Sequence, residues 1–198
     1  MKLYLTRHGE TLENKKKIFQ GMHPDGEIGT LSELGEEQAK LLGERLKNEH
    51  FDIIYVSDLR CTRQTATQIV KYHPDTPVEY SAMFREREIG SFTGKSYEEA
   101  GLVGGVWEKG FPTDTENNIQ LMSRAQDALV FLIKKHMDQN VLLVAHGAFN
   151  AMIESAIRGL DPVGYDNLIM YNTAVSIFEI KEDGDHTIHV RNCAKHLN

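Results

Sequence analysis

At 198 residues, 40% hydrophobic and 26% charged, the chain can bury a sizeable core as one domain, and its ordinary composition excludes disorder, collagen-like repeats and a coiled coil. Lys and Arg number 22 against 29 Asp and Glu, a net charge of −7 that argues against nucleic acid and acidic membranes as partners. No apolar run approaches the roughly 20 residues of a membrane span, the first apolar run is too short for a signal peptide, and two cysteines, Cys61 and Cys193, are too few for a disulfide framework, so a cytoplasmic setting is expected.

Lys2 to Thr6 is short and apolar-rich, ends in Arg7-His8-Gly9, and reads as a strand feeding a loop. Residues 9–31 carry Asn14, Gly21, Pro24-Asp25-Gly26 and Gly29 and are expected to form one long loop, a length usually tied to function or disorder. Ser32 is placed to cap a helix, with Glu33, Glu36 and Glu37 favouring its positive start and Ala39, Leu42 and Leu46 following at helical spacing to about Asn48. Phe51 to Val56 reads as a second strand, Leu59 to Tyr72 as a helix, and Pro77 to Tyr80 as a short third strand. Residues 83–118 show no sustained period and hold six glycines, Trp107 and Phe111; within a single domain spanning 1–198 they read as a small cap.

Met122, Ala125, Leu129, Leu132 and His136 mark a further amphipathic helix. Val141 to Ala145 is a continuous apolar run, as in a strand buried on both faces, and leads into His146-Gly147 and a helix to about Arg158. Ala174 to Ile180 and His186 to Arg191 read as a terminal hairpin turning near Asp183-Gly184. This order implies an α/β fold, a three-layer α/β/α sandwich on a mostly parallel sheet.

In such sheets ligands bind beyond the carboxyl ends of the strands. Those positions hold Arg7, His8 and Gly9, then Ser57, Asp58 and Arg60, then Glu86, then His146 and Gly147. Two arginines, two histidines and a carboxylate on one edge form a local positive pocket in an acidic protein. Arginine's planar fork matches phosphate oxygens, and amides at helix starts near Arg60 and Gly147 add to the field. A neutral imidazole between arginines can attack phosphorus. A carboxyl group of raised pKa can protonate the leaving alkoxide and then take a proton from water.

Other readings compete at several positions. His50, His73 and His136 read as structural. Glu88, or a surface pairing with Arg85 and Arg87, competes with Glu86, and Asn14 can cap a loop as well as contact phosphate. Lys15-Lys16-Lys17 reads as a solvated run, with one lysine at the pocket rim as the alternative. Phe19, Met22, Trp107 and Phe111 either line the pocket or anchor loops to the core. Gly90 to Ser96 imitates a Walker A loop but has three residues between its glycines instead of four. Cys61 beside Arg60 imitates a cysteine phosphatase, yet the arginine needed six residues on is Thr67, and Cys61 reads as a small buried side chain. His186 and His189 on a strand face opposite sides and make no ligand pair.

Taken together, Leu5-Thr6-Arg7-His8-Gly9-Glu10-Thr11, Asn14, Gln20-Gly21, Leu31-Ser32-x-x-Gly35-x-x-Gln38-Ala39, Ser57-Asp58-Leu59-Arg60-Cys61-x-x-Gln64-Thr65-Ala66, Phe84-x-Glu86 with Gly90, and Val144-Ala145-His146-Gly147 resemble the histidine phosphatase superfamily, also called phosphoglycerate mutase-like. The resemblance covers residues 1 to about 180. It implies that His8 is the nucleophile and forms a phosphohistidine, that Arg7, Arg60, Asn14 and a cationic His146 bind the phosphoryl oxygens, and that Glu86 is the acid and then the base. Gln20, Gly21 and Gly147 would complete the substrate-binding set, with neither metal nor other cofactor. Two segments depart from the pattern: Gly90-Ser91-Phe92-Thr93-Gly94 stands where relatives often carry Gly-x-Trp-Glu-Gly, and the loop from Gly21 to Leu31 is longer. The interval between Glu86 and His146 is short and lacks an Arg-Arg pair, which favours a phosphatase over a bisphosphoglycerate-dependent mutase. A small phosphorylated substrate is the expected partner, with a homodimer left open. A phosphate-ester sensor without turnover is the competing class, although binding alone needs no proton donor.

Overall fold

A computed structural model describes residues 1–22, 28–103, 106–107, 113–162 and 165–198. Its main sheet contains β1 (Lys2–Arg7), β2 (Ile53–Ser57), β3 (Val78–Ser81), β6 (Asn140–Ala145), β7 (Val175–Ile180) and β8 (His186–Cys193), in the spatial order β3-β2-β6-β1-β7-β8. The first four run parallel, while β7 and β8 add an antiparallel hairpin at the β1 edge. A two-stranded ribbon, β4 (Leu102–Val103) with β5 (Val106–Trp107), stands apart from it.

Alternation along the strands sorts the side chains into two layers. Leu3, Leu5, Tyr55, Leu143 and Ala145 face one side, packed with Leu121, Ala125, Leu132, Phe149 and Ile153 from α4 (Asn118–His136) and α5 (Gly147–Arg158). Tyr4, Ile54, Val56, Leu142 and Val144 face the other, packed with Leu42, Leu46, Ala66 and Ile69 from α2 (Glu33–Leu46) and α3 (Arg60–Val70). Both faces of β6 are therefore dry, which is why its sequence is continuously apolar. Helix ends follow ordinary chemistry: Ser32 Oγ accepts from Gly35 N at 3.0 Å, and α5 stops at Gly159 with φ +62°.

Two expectations change. The long loop predicted for 9–31 contains a short helix, α1 (Leu12–Lys16), because Thr11 and Asn14 form a reciprocal capping box. Its turn at Pro24-Asp25-Gly26 lies outside the described residues. The segment from 83 begins inside the core: Phe84 is fully buried, with ring centroids 5.4 Å from Tyr55 and 6.3 Å from Phe149. Further on it docks against the first loop through Phe19 N to Lys95 O, Gly94 N to Phe19 O and Tyr97 N to Lys17 O, at 2.8 to 2.9 Å. The Walker-like stretch holds a 3-10 turn, Gly90–Phe92, with no strand leading into it. No described helix is long and apolar enough to cross a membrane.

Candidate active site

The carboxyl ends of β1, β6 and β2 lie side by side, and the side chains that follow them converge. His8 continues the parallel ladder, donating its backbone N–H to Ala145 O at 3.1 Å. The next backbone N–H, from Gly9, donates to Thr65 Oγ1 at 3.0 Å, and Asn172 Nδ2 donates to His8 O at 3.0 Å. Gly9 cannot carry a side chain, because a Cβ there would collide with Gly35 O at the start of α2. The backbone on both sides of His8 is thus fixed at the strand end by three hydrogen bonds.

His8 Nδ1 lies 2.7 Å from Gly9 O. A carbonyl only accepts, so Nδ1 carries the proton and Nε2 keeps its lone pair. Burial first, then the charge of Arg7 and the neighbouring His146, hold the His8 imidazole well below its ordinary value, so it is neutral at pH 7. His146, 1% exposed, bonds Ser57 Oγ through Nε2 at 2.7 Å, and its ring centroid is 5.3 Å from that of His8. The same physics, burial followed by Arg7 and Arg124, pushes His146 down to about 3. The protein's own groups alone thus keep this ring neutral, since charging it would place a second cation beside Arg7 in a desolvated site; the cation implied by the resemblance is a ring in contact with phosphoryl oxygens.

Arg7 reaches into the same space with Nη1 donating to Met170 O at 2.9 Å. Its Nε is buried and has no hydrogen-bond partner among the described residues. Gly147 packs against it: a Cβ there would stand 3.4 Å from the guanidinium carbon, an ordinary contact.

Glu86 arrives from an irregular segment, yet it is held firmly. Arg85 makes a two-point bond to Asp58, just past β2, at 2.7 and 2.6 Å, and this guanidinium holds the Asp58 carboxyl below its ordinary value. From α4, Arg124 donates to the carbonyls of Met83, Arg85 and Glu86 and to the Glu116 carboxylate. The Glu86 carboxylate then accepts from Ala148 N at 3.1 Å, Phe149 N at 3.0 Å and Arg87 N at 2.9 Å. It caps the start of α5, where His146 supplies no side-chain cap of its own.

These groups line a cavity of about 410 Å³. Of the sequence-predicted residues, Arg7, His8, Asn14, Gln20, Gly21, Glu86, His146 and Gly147 border it, and Phe19 does so as well. Asn14 does this while serving the α1 cap. Arg60 does not border it. It is the first residue of α3 and is exposed, because the apolar face of that helix turns Cys61, Thr62, Thr65, Ala66 and Ile69 inward. Beside the two histidines stands Cys61, whose thiol burial pushes up to about 12, so it is no free nucleophile at pH 7.

Lys15, Lys16 and Lys17 are exposed and, like Met22, do not border the cavity; the side chains of Trp107 and Phe111 lie outside the described residues. His73 and His136 are structural: His73 Nε2 donates to Leu46 O and His136 Nε2 bonds the Tyr55 hydroxyl. Sequence reasoning missed Arg87, which is 4% exposed at the cavity and bonds Asn118 Oδ1 at 2.7 Å, together with an apolar wall of Ile18, Ile89, Tyr97, Leu102 and Ile169. The only available signal for Arg87 was its place next to Glu86.

Comparison with known proteins points the same way. Residues 3–193 match the family model described as histidine phosphatase superfamily (branch 1). A broad-specificity phosphatase of Saccharomyces cerevisiae is 30% identical over 201 residues, covering 95% of this chain and 83% of its own. The fructose-2,6-bisphosphatase TIGAR of Bos taurus is 33% identical over 181 residues, 86% of this chain and 66% of its own. Among solved structures, a phosphoserine phosphatase mutant from Entamoeba histolytica in complex with phosphoserine superposes with a TM-score of 0.82 at 27% identity, covering 100% of this chain and 99% of that one.

Proposed function

The chain belongs to the histidine phosphatase superfamily, branch 1, and on that premise we propose that it hydrolyses small phosphorylated metabolites by passing the phosphoryl group through His8. The observation that carries this reading is the pairing of a neutral His8, whose Nε2 lone pair is left free by the bond from Nδ1 to Gly9, with Arg7, whose buried Nε has no partner among the described residues.

In the first half-reaction His8 Nε2 attacks phosphorus and the ester P–O bond breaks. The leaving alkoxide takes a proton from Glu86. Water then attacks the phosphohistidine, Glu86 accepts its proton, the P–N bond breaks, and neutral His8 is restored. Arg7 and Gly147 N bind the phosphoryl oxygens, and Asn14, Gln20 and Gly21 border the same cavity. His146, neutral in the empty pocket, becomes a cation when a phosphate dianion enters beside it, because an adjacent negative charge favours the protonated ring. The Arg7 and Arg87 guanidiniums supply the positive charge, so the reaction needs no metal. Two free thiols, Cys61 and Cys193, suit a reducing, cytoplasmic setting.

The test is p-nitrophenyl phosphate hydrolysis in EDTA, with acid-labile phosphoenzyme trapped by rapid quench during a single turnover. Turnover with a trapped intermediate is expected. Turnover without any phosphoenzyme overturns the His8 route, and turnover only on adding bisphosphoglycerate with phosphoglycerate makes the protein a mutase.

A further inference from the structure

Cys61 has no part in the reaction above, yet its sulfur lies within 4.8 Å of a nitrogen of each active-site histidine. We propose that His8, Cys61 and His146 form a binding site for a thiophilic divalent cation of the Zn²⁺ class, and that its occupation blocks the pocket. One nitrogen of each imidazole and the Cys61 sulfur lie within 4.8 Å of one another, and all three residues are buried. Zn–N bonds of about 2.0–2.1 Å and Zn–S bonds of about 2.3 Å put tetrahedral ligand atoms roughly 3.3–3.6 Å apart, so small side-chain rotations close the set around one ion.

The donor set also selects the ion. Two imidazoles and a sulfur, with no carboxylate among them, suit Zn²⁺ and exclude Mg²⁺ and Ca²⁺, which need oxygen ligands. Arg7, in the same cavity, opposes any cation held by charge alone, so binding must come from metal–sulfur and metal–nitrogen bonds. Zn²⁺ replaces the thiol proton of Cys61, and that proton leaves to solvent.

Orienting contacts exist for all three ligands. Gly9 O fixes His8, Ser57 Oγ fixes His146, and Gln20 Nε2 donates to Cys61 Sγ at 3.5 Å. Three protein ligands leave a fourth position for water, and the cavity that His8 and His146 line is the entry path. The blocking half of the proposal rests on His8 being the nucleophile: a lone pair bound to metal cannot attack phosphorus. The binding half does not depend on that reading.

The whole chain, stripped with a chelator, is titrated with Co²⁺ and then with Zn²⁺ against a chromophoric indicator. One equivalent should bind per chain, with a sulfur-to-cobalt charge-transfer absorption that Zn²⁺ displaces and that Mg²⁺ and Ca²⁺ leave unchanged. Cys193→Ser should keep this absorption. Cys61→Ser should lose it and weaken Zn²⁺ binding by roughly 100-fold or more. Absence of the absorption in the unaltered chain, its survival in Cys61→Ser, or its loss in Cys193→Ser overturns the site. Zn²⁺ should inhibit turnover over the concentrations at which it binds; binding without inhibition overturns the blocking half. A stripped chain that binds Zn²⁺ but never turns over counts against the phosphatase reading and leaves the metal site standing.

Discussion

Arg7, His8 and His146 stand at the ends of two parallel strands hydrogen-bonded to each other, whereas Phe19, Ile89 and Tyr97, across the same cavity, stand on segments joined by loop contacts. The floor is polar, charged and fixed by the sheet; the wall is largely apolar and irregular. Reaction chemistry tolerates little displacement of a nucleophile, so it belongs on the rigid elements. Substrate shape varies more, and loops on a fixed scaffold can follow it. The floor therefore sets the reaction and the wall the choice of ester.

The largest effect expected of this division is at His8. His8→Ala should lower turnover by at least roughly 10⁴-fold and abolish the trapped phosphoenzyme, with the circular dichroism spectrum unchanged. Next comes the contrast between two arginines. Arg7→Ala should cost roughly 10²–10³-fold in kcat, the usual loss for one donor to a developing charge, while Arg60→Ala should stay within about twofold. If Arg60→Ala matches Arg7→Ala in steady-state kinetics, the floor has been drawn wrongly.

Glu86→Gln should slow an alkyl phosphate by about 10²-fold or more and p-nitrophenyl phosphate much less, since the nitrophenolate leaves without a proton. Equal slowing of the two substrates would remove Glu86 from proton transfer.

The floor also leaves a thermodynamic signature. Both buried imidazoles are depressed below their ordinary value of 6.5, His146 to about 3. Between those limits the unfolded chain binds more protons than the folded one. Their contribution to stability is fully present above pH 6.5 and falls with pH; that of His146 is lost as pH drops toward about 3, at up to about 1.4 kcal/mol per pH unit, and that of His8 declines in the same direction. Urea unfolding at pH 7 and pH 5 should show this loss, and His146→Asn should shrink it.

The smallest effect belongs to the wall. Tyr97→Ala should alter the ratio of kcat/KM between a bulky and a small phosphate ester by roughly 3- to 10-fold while the phosphoenzyme still forms. Loss of the phosphoenzyme in that variant would mean that wall and floor are not separable.

Much of the floor was legible in the sequence because its signals are local. Apolar runs ending in Arg7-His8-Gly9 and Val144-Ala145-His146-Gly147 announce strands whose last residues must point into the ligand-binding edge, and the parallel sheet brings those edges together. Glu86 was reachable as a carboxylate beyond the third strand, but only the resemblance chose it over Glu88, since the segment around it has no periodicity. It is held by Arg85, Arg124 and the start of α5, all distant in sequence.

What only the tertiary structure decided are matters of orientation and environment. A single residue along a helix turns a side chain by about 100°, so whether Arg60 or Cys61 faces the site depends on how α3 docks its apolar face on the sheet. Likewise, the sequence names the histidines but not their charge, which is set by the depth of burial and the distance to Arg7. Residue type and order fixed the chemistry available at the strand ends; packing determined which of those groups meet and in which protonation state.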